Sequence, residues 1–215
     1  MTFEAVLFDC DGVLVDSESI TCGALRDMLA ASGWEMTLQA CMAQFVGKTV
    51  RSESALIEAN TGQPLTDAWM AAFYAERDRR LRERVQAVAS AHALVAAAAA
   101  HTQGRIAVCS GADKPKILMM LAHVDLLEPF GEHVYSGHDL PRSKPFPDVY
   151  LAGAAALGVD PKRCLVIEDT PVGIAAGVAA GAEVWAYAQP PAAHQPLMHA
   201  GAKRVFTSMA TLRLS

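Results

Sequence analysis

Cysteine is scarce in this 215-residue chain, and what there is does not pair off. Cys10, Cys22, Cys41, Cys109 and Cys164 are odd in number, widely spaced and without a C-x-x-C pair. That pattern excludes a disulfide framework and offers no zinc knot; five small, buried apolar side chains are expected instead. Long apolar runs are missing as well. No segment reaches the roughly 18 uncharged apolar residues of a membrane span. The opening Met-Thr-Phe-Glu-Ala-Val-Leu-Phe-Asp has neither the basic start nor the apolar stretch of a signal peptide. A cytoplasmic protein with no membrane partner is therefore expected, as a monomer or weak dimer. Positive charge is also in short supply: the formal net charge is −5, and no Lys/Arg run exceeds Arg79-Arg80. Nucleic acid and anionic lipid are poor partners for such a surface, so any affinity for phosphate has to be built locally.

What the chain does have is apolar material, 52% of its residues, enough for one compact core with at most one inserted subdomain. Short apolar runs read as buried strands at Ala5–Phe8, Arg105–Cys109, His133–Tyr135, Cys164–Ile167, Glu183–Ala186 and Arg204–Phe206. Helix-like segments separate most of them. That alternation predicts an α/β fold with a doubly wound, Rossmann-like parallel sheet. About 95 residues separate the first two strands, far more than the usual connecting loop. The intervening pattern is helical, with Leu25, Met28 and Leu29 on one face, Leu56 and Ile57 on another, and Trp69, Met70 and Phe73 on a third. An all-helical cap over 16–84 is thus expected, inserted in a core of 1–15 and 85–215. The alanine-rich stretch Ala87–Ala100 reads as a core-packed helix.

Four clusters at strand ends carry candidate chemistry. In Asp9-Cys10-Asp11-Gly12 the two carboxylates stand two residues apart, so a strand projects both to the same side while Gly12 lets the chain turn away. Ligands of open parallel sheets bind at this end, although a plain turn with two solvated aspartates has the same spelling. Ser110-Gly111 ends a second strand, where a hydroxyl and backbone N–H groups before a helix make an anion cradle. A turn or cap role would also account for the serine. In Ser143-Lys144-Pro145-Phe146-Pro147 two prolines hold the backbone around a lysine, a candidate for holding phosphate charge. Glu168-Asp169 follows a further apolar strand and adds acids to the same edge. So many carboxylates together call for a hard divalent cation, and an oxygen-only donor set without His or Cys points to Mg²⁺.

Asp9-x-Asp11-Gly12-x-x-x-Asp16, Ser110, Lys144-Pro145 and Glu168-Asp169 together resemble the four motifs of the haloacid dehalogenase-like hydrolases. The helical insertion and the run Glu168-Asp169-Thr170-Pro171-x-Gly173-Ile174-x-Ala176-Gly177 look like the β-phosphoglucomutase and phosphoglycolate-phosphatase branch. Tyr135 through Lys144, with the spacing onward to Glu168, is also similar to bacterial 6-phosphogluconate phosphatases. The resemblance implies a magnesium-dependent phosphatase acting on a small phosphorylated metabolite through an aspartyl-phosphate. It implies Asp9 as nucleophile and metal ligand, and Asp11 as proton donor and then base, with its backbone carbonyl on the metal. Ser110, Gly111 and Lys144 would hold the phosphoryl group, Glu168 and Asp169 would complete the metal shell, and Gly47 and Arg51 of the cap would meet the substrate. The cap would close during attack and reopen for water.

Departures narrow the expectation. Dehalogenases of the superfamily lack the second aspartate, which is present here as Asp11. Sugar-phosphate mutases of this branch carry a histidine twelve residues past the nucleophile, where this chain has Thr21. Hydrolysis is favoured over mutase chemistry, with a β-phosphoglucomutase-like mutase as the rival enzyme and a non-catalytic binding protein as the rival of another class.

Overall fold

The computed structural model describes residues 3–189 and 194–214. The chain forms two compact units, Met1–Asp16 with Gln86–Ser215, and Ser17–Val85. In chain order the elements are β1 (Ala5–Phe8), β2 (Val15–Asp16), α1 (Glu18–Ala31), α2 (Leu38–Phe45), α3 (Ser54–Thr61), α4 (Asp67–Arg84), β3 (Gln86–Ala87) and α5 (Ala91–Thr102). There follow β4 (Ile106–Ser110), α6 (Lys114–His123), β5 (Val134–Ser136), α7 (Asp148–Ala156), β6 (Cys164–Glu168), α8 (Pro171–Ala179), β7 (Glu183–Tyr187), α9 (His194–His199) and β8 (Arg204–Phe206).

The larger unit is the expected doubly wound α/β fold. Its sheet runs β5-β4-β1-β6-β7-β8, parallel throughout. The four residues of β1 are apolar and fully buried, as befits a strand covered on both faces. β1 is also where the strand order turns, with β4 and β5 on one side and β6 to β8 on the other, which is where such sheets open a crevice at their carboxyl ends. Phe8 is level with Val108 and with Ile167. One residue further on, the tips of the three central strands therefore lie side by side. Alanine-rich α5 packs Ala91, Leu94, Val95 and Ala98 inward as read from the sequence, but it begins at Ala91 rather than Ala87, because Ala87 pairs with Val15 in the β2–β3 ribbon.

Four strands differ in extent from the sequence reading, β7 among them because it runs on to Tyr187. β4 begins at Ile106 and runs on to Ser110, and β5 begins at Val134 and runs on to Ser136, while β6 likewise includes Glu168. Apolar runs stop too early because the ladder continues one residue into the polar rim: Ser110 still pairs with Ser136 and Glu168 with Ala186. The short antiparallel ribbon of β2 with β3, Val15 opposite Ala87, carries too few residues to leave an alternating pattern.

The inserted unit contains only helices. Thr37 and Thr66 cap α2 and α4 by accepting from the Ala40 and Trp69 N–H groups. Leu25, Leu29, Phe45, Ile57, Met70 and Phe73 form its core, with Trp34 and Trp69 packed against them. A cavity of ≈ 400 Å³ in this unit is lined in part by Arg26, Asp27, Arg79 and Arg80. Three of its arginines, Arg26, Arg79 and Arg80, pair with Asp27, Glu76 and Glu83, so much of its charge is balanced from within. All five cysteines are buried and free.

In α7, Gly153 brings the helix close to the sheet: a Cβ there would stand 2.5 Å from Cys109 Sγ and 3.4 Å from Leu7 Cδ2. Helix propensity favours a side chain over glycine by up to about 1 kcal/mol, but overpacking costs about 1–3 kcal/mol, and a branched side chain sits at the upper end. Gly153→Val is expected to lower stability, read as an earlier urea midpoint; a midpoint at or above that of the parent protein would contradict this packing.

Candidate active site

Two of the three central strand tips, those of β1 and β6, hold charged groups that a buried position tolerates only in combination. Asp9 follows β1, and its N–H donates to the Ile167 carbonyl at 2.9 Å, which continues the ladder and places its side chain beside Glu168 at the end of β6. Lys144 enters from the loop after β5. Its ammonium donates to Asp9 Oδ1 at 2.5 Å and to Glu168 Oε1 at 2.8 Å, and it lies 4.8 Å from the centroid of the Tyr150 ring. The side chains of Lys144, Asp9 and Glu168 are only 8%, 9% and 1% exposed. The Lys144–Pro145 peptide is cis.

Glu168 is the most heavily bonded of these groups. Its Oε1 accepts from Lys144 and from the Tyr150 hydroxyl at 3.0 Å. Its Oε2 accepts from the Asp169 N–H, the Thr170 N–H and the Thr170 hydroxyl at 2.9–3.0 Å. Burial works against this carboxylate, but Lys144 and the other donors together hold its pKa below the ordinary glutamate value. Burial likewise works against the Lys144 ammonium, and Asp9 and Glu168 outweigh it, keeping its pKa well above the usual lysine range. For Asp9, burial wins: with Glu168 and Asp11 adding to the rise and Lys144 opposing it, the carboxyl is pushed up to about 7.

A second lysine reaches the rim. Lys116, in the first turn of α6, places its ammonium 2.7 Å from Asp11 Oδ1, with the two side chains 8% and 17% exposed. Four carboxylates (Asp9, Asp11, Glu168, Asp169) thus face two ammonium groups, a formal surplus of two negative charges. Asp9, Glu168 and Asp169 each present a carboxylate oxygen within 4.8 Å of the other two. An all-oxygen set with that surplus fits a hard divalent cation.

Two glycines let these carboxylates approach the backbone. A Cβ on Gly12, which has φ of 79°, would overlap the Asp169 carboxylate, and one on Gly173 would overlap that of Glu168. Gly12 is therefore required by the neighbouring acid as well as by the turn. Ser110 is buried at the end of β4 and its Oγ accepts from the Ala112 N–H at 3.1 Å, while Ser136 Oγ donates to the Ala112 carbonyl at 2.6 Å. Together these bonds shape the loop that starts with Gly111.

The structure thus brings Asp9, Lys144, Glu168 and Asp169 into one cluster, with Asp11 bonded to Lys116 beside it and Ser110 on the same sheet edge. Gly47 and Arg51 lie in the helical unit, where Arg51 pairs with Asp67 at 2.6 Å and Lys48 with Glu53 at 3.2 Å. His138 is an exposed residue of a short 3₁₀ turn. Three contributors escaped the sequence reading. Thr170 had a signal, since a threonine just before a proline is a common helix start, and it does cap α8. Tyr150 and Lys116 sit inside helices, where nothing in the local pattern distinguishes them.

A parallel sheet whose central tips gather carboxylates around a buried lysine is one setting for hydrolase chemistry, and the comparison of the sequence with known families gives the class. The chain belongs to the haloacid dehalogenase-like hydrolases, whose family model matches residues 3–181. It is 29% identical over 197 residues to the 6-phosphogluconate phosphatase of Escherichia coli K12, covering 91% of this chain and 87% of that one. It is 31% identical over 180 residues to the fructose-1-phosphate phosphatase of the same organism, covering 83% and 93%. A hydrolase of this family from Deinococcus radiodurans, solved with bound phosphate and sodium, superposes with a TM-score of 0.79 at 31% identity, covering 97% and 93%.

Lys144→Met leaves Asp9 and Glu168 buried without their shared cation, a loss expected to lower stability by about 3–5 kcal/mol. Urea unfolding measures it, and an unchanged midpoint would show that the ammonium is not what sustains these carboxylates.

Proposed function

We propose that this chain hydrolyses small phosphate monoesters through an aspartyl-phosphate on Asp9, with a sugar phosphate or phosphorylated sugar acid as substrate. The observation that carries the reading is the buried Asp9–Lys144 contact at 2.5 Å, set in a rim with more carboxylates than ammonium groups. The chain is a phosphoric monoester hydrolase in this reading, supported by relatives named for phosphatase activity on 6-phosphogluconate and fructose 1-phosphate.

An Asp9 carboxylate oxygen attacks phosphorus as the bond from phosphorus to the ester oxygen breaks, and Asp11, which enters the cycle in its protonated form, gives its proton to that departing oxygen. Asp11, now ionised, takes a proton from water as the water oxygen attacks the phosphorus of the aspartyl-phosphate. The bond to Asp9 breaks, inorganic phosphate leaves, and both carboxyl groups return to their starting state. Lys144 holds one Asp9 oxygen in place and faces the charge of the transferring phosphoryl group. The Ser110 hydroxyl and the N–H groups from Gly111 onward bind the phosphoryl oxygens. Phosphoryl transfer needs positioned charge more than elaborate covalent machinery, which suits a site built of carboxylates and ammonium groups.

Magnesium would be held by Asp9, Asp169 and the Asp11 main-chain carbonyl. Both Glu168 oxygens already accept bonds from Lys144, Tyr150, Thr170 and the Asp169 N–H, so Glu168 serves chiefly to hold Lys144. When bound, the ion supplies the positive charge that keeps the rim carboxylates ionised beside an anionic substrate. In the helical unit, Gly47 and Arg51 are candidates for recognising the rest of the substrate, with Arg51 exchanging Asp67 for a substrate anion.

Removal of the nucleophile by Asp9→Asn is expected to lower turnover roughly 10⁴–10⁶-fold, the range seen when a nucleophile is lost, with the circular dichroism spectrum retained. The measurement is phosphate release from a panel of monoesters, with isomer formation from hexose phosphates followed in parallel; turnover within tenfold of the parent protein would remove Asp9 as nucleophile. Independently of activity, saturating Mg²⁺ is expected to raise the melting temperature, since a ligand at a hundred times its Kd stabilises by about 2.7 kcal/mol. Asp169→Asn should abolish that rise, and an undiminished shift in the variant would place the ion elsewhere.

A further inference from the structure

Lys116 is an awkward residue for its place. It lies in the first turn of α6, three residues after the Asp113 cap, where the helix dipole disfavours positive charge. Its side chain is 8% exposed, although lysine is rarely buried without a partner. Helix formation does not ask for it, since a leucine or methionine would serve the helix equally well. A contact that offsets both penalties is the 2.7 Å bond from its ammonium to Asp11 Oδ1 across 105 residues of chain. The Asp11 carboxylate stands on the loop after β1, two residues beyond Asp9, and a rotation about its side-chain bonds would carry it away from a substrate bound at Asp9.

We infer that Lys116 is a positioning residue for Asp11: it holds the carboxylate in the orientation from which the proton reaches the departing ester oxygen. The inference rests on the phosphatase reading with Asp11 as acid and base. Lys116 and Lys144 then divide the work, one bonded to the proton carrier and the other to the nucleophile. The leaving group separates this role from a structural one. A sugar alkoxide cannot depart without a proton, whereas p-nitrophenolate leaves unaided, so a misplaced Asp11 slows the first reaction far more than the second.

The test compares kcat/KM for p-nitrophenyl phosphate with that for 6-phosphogluconate or fructose 1-phosphate, whichever the parent protein turns over faster. Lys116→Met, Lys116→Gln and Asp11→Asn are measured side by side. Proton transfer by a placed side chain is worth about 10²–10⁴-fold, so Asp11→Asn should depress the sugar phosphate at least about a hundredfold more than the aryl phosphate. The two Lys116 variants should reproduce that bias, at about tenfold or more, and Lys116→Arg, which keeps the charge, should recover part of it. An equal loss on both substrates would overturn the inference in favour of contact with the phosphoryl group or of a purely structural part. No loss on either would reduce the pair to a packing detail. Absence of the bias in Asp11→Asn itself would instead strike at Asp11 as acid, which keeps the two failures apart. Residual aryl turnover reports folding in every variant, and Lys116→Gln stands in should Lys116→Met fail to fold.

Discussion

The rest of this site depends on one buried ammonium group shared between two carboxylates. The parallel ladder puts the end of β1 beside the end of β6, and with it Asp9 beside Glu168. Two carboxylates so placed repel each other and have lost most of their hydration, which is costly unless a cation is brought to them. Lys144 is that cation, and it is fixed in turn, because Tyr150 and Thr170 orient Glu168, which anchors Lys144, which holds Asp9. Each member has its place through the next, so Asp9 inherits the rigidity of strand β6 and helix α8. Chains of this kind are worth more than their separate bonds where the local dielectric is low.

The same arrangement leaves the rim short of positive charge. One ammonium sits against Asp9 and Glu168 and another against Asp11, while Asp169 adds a further carboxylate close to Asp9 and Glu168. Burial is the main reason the Asp9 carboxyl is pushed up to about 7, and its carboxylate neighbours Glu168 and Asp11 add to the rise against the opposing pull of Lys144. A divalent cation and an anionic phosphoryl group complement such a rim together better than either does alone. Space for this density of charge comes from glycine: at Gly12 and Gly173 any side chain would occupy the volume now filled by Asp169 and Glu168. Stability is given up here for function, in a protein whose remaining buried groups are mostly aliphatic or aromatic.

Much of this could be read along the chain. The buried strands announced themselves as short apolar runs, and the helical insertion as a long stretch of helical period between two of them. Asp9, Lys144, Glu168 and Asp169 were each visible because a charged residue at the end of an apolar strand, or held by two prolines that follow it, stands out from its surroundings. Where the reading stopped short, the cause was local. Ser110, Ser136 and Glu168 belong to their strands although they are polar, because at a rim the ladder outlasts the apolar pattern. Lys116 and Tyr150 lie on helices as ordinary residues, and no periodicity marks a side chain whose partner is 105 or 18 residues away.

The six strands of the main sheet, the class of fold and the residue types able to do the chemistry were therefore settled by the sequence itself, because burial and backbone hydrogen bonding act on neighbours in the chain. Which carboxylate meets which ammonium was decided only in three dimensions. A bond from Lys144 to Asp9 spans 135 residues, and its energy depends on distance and dielectric, quantities that come into being only when the sheet assembles and water leaves the rim.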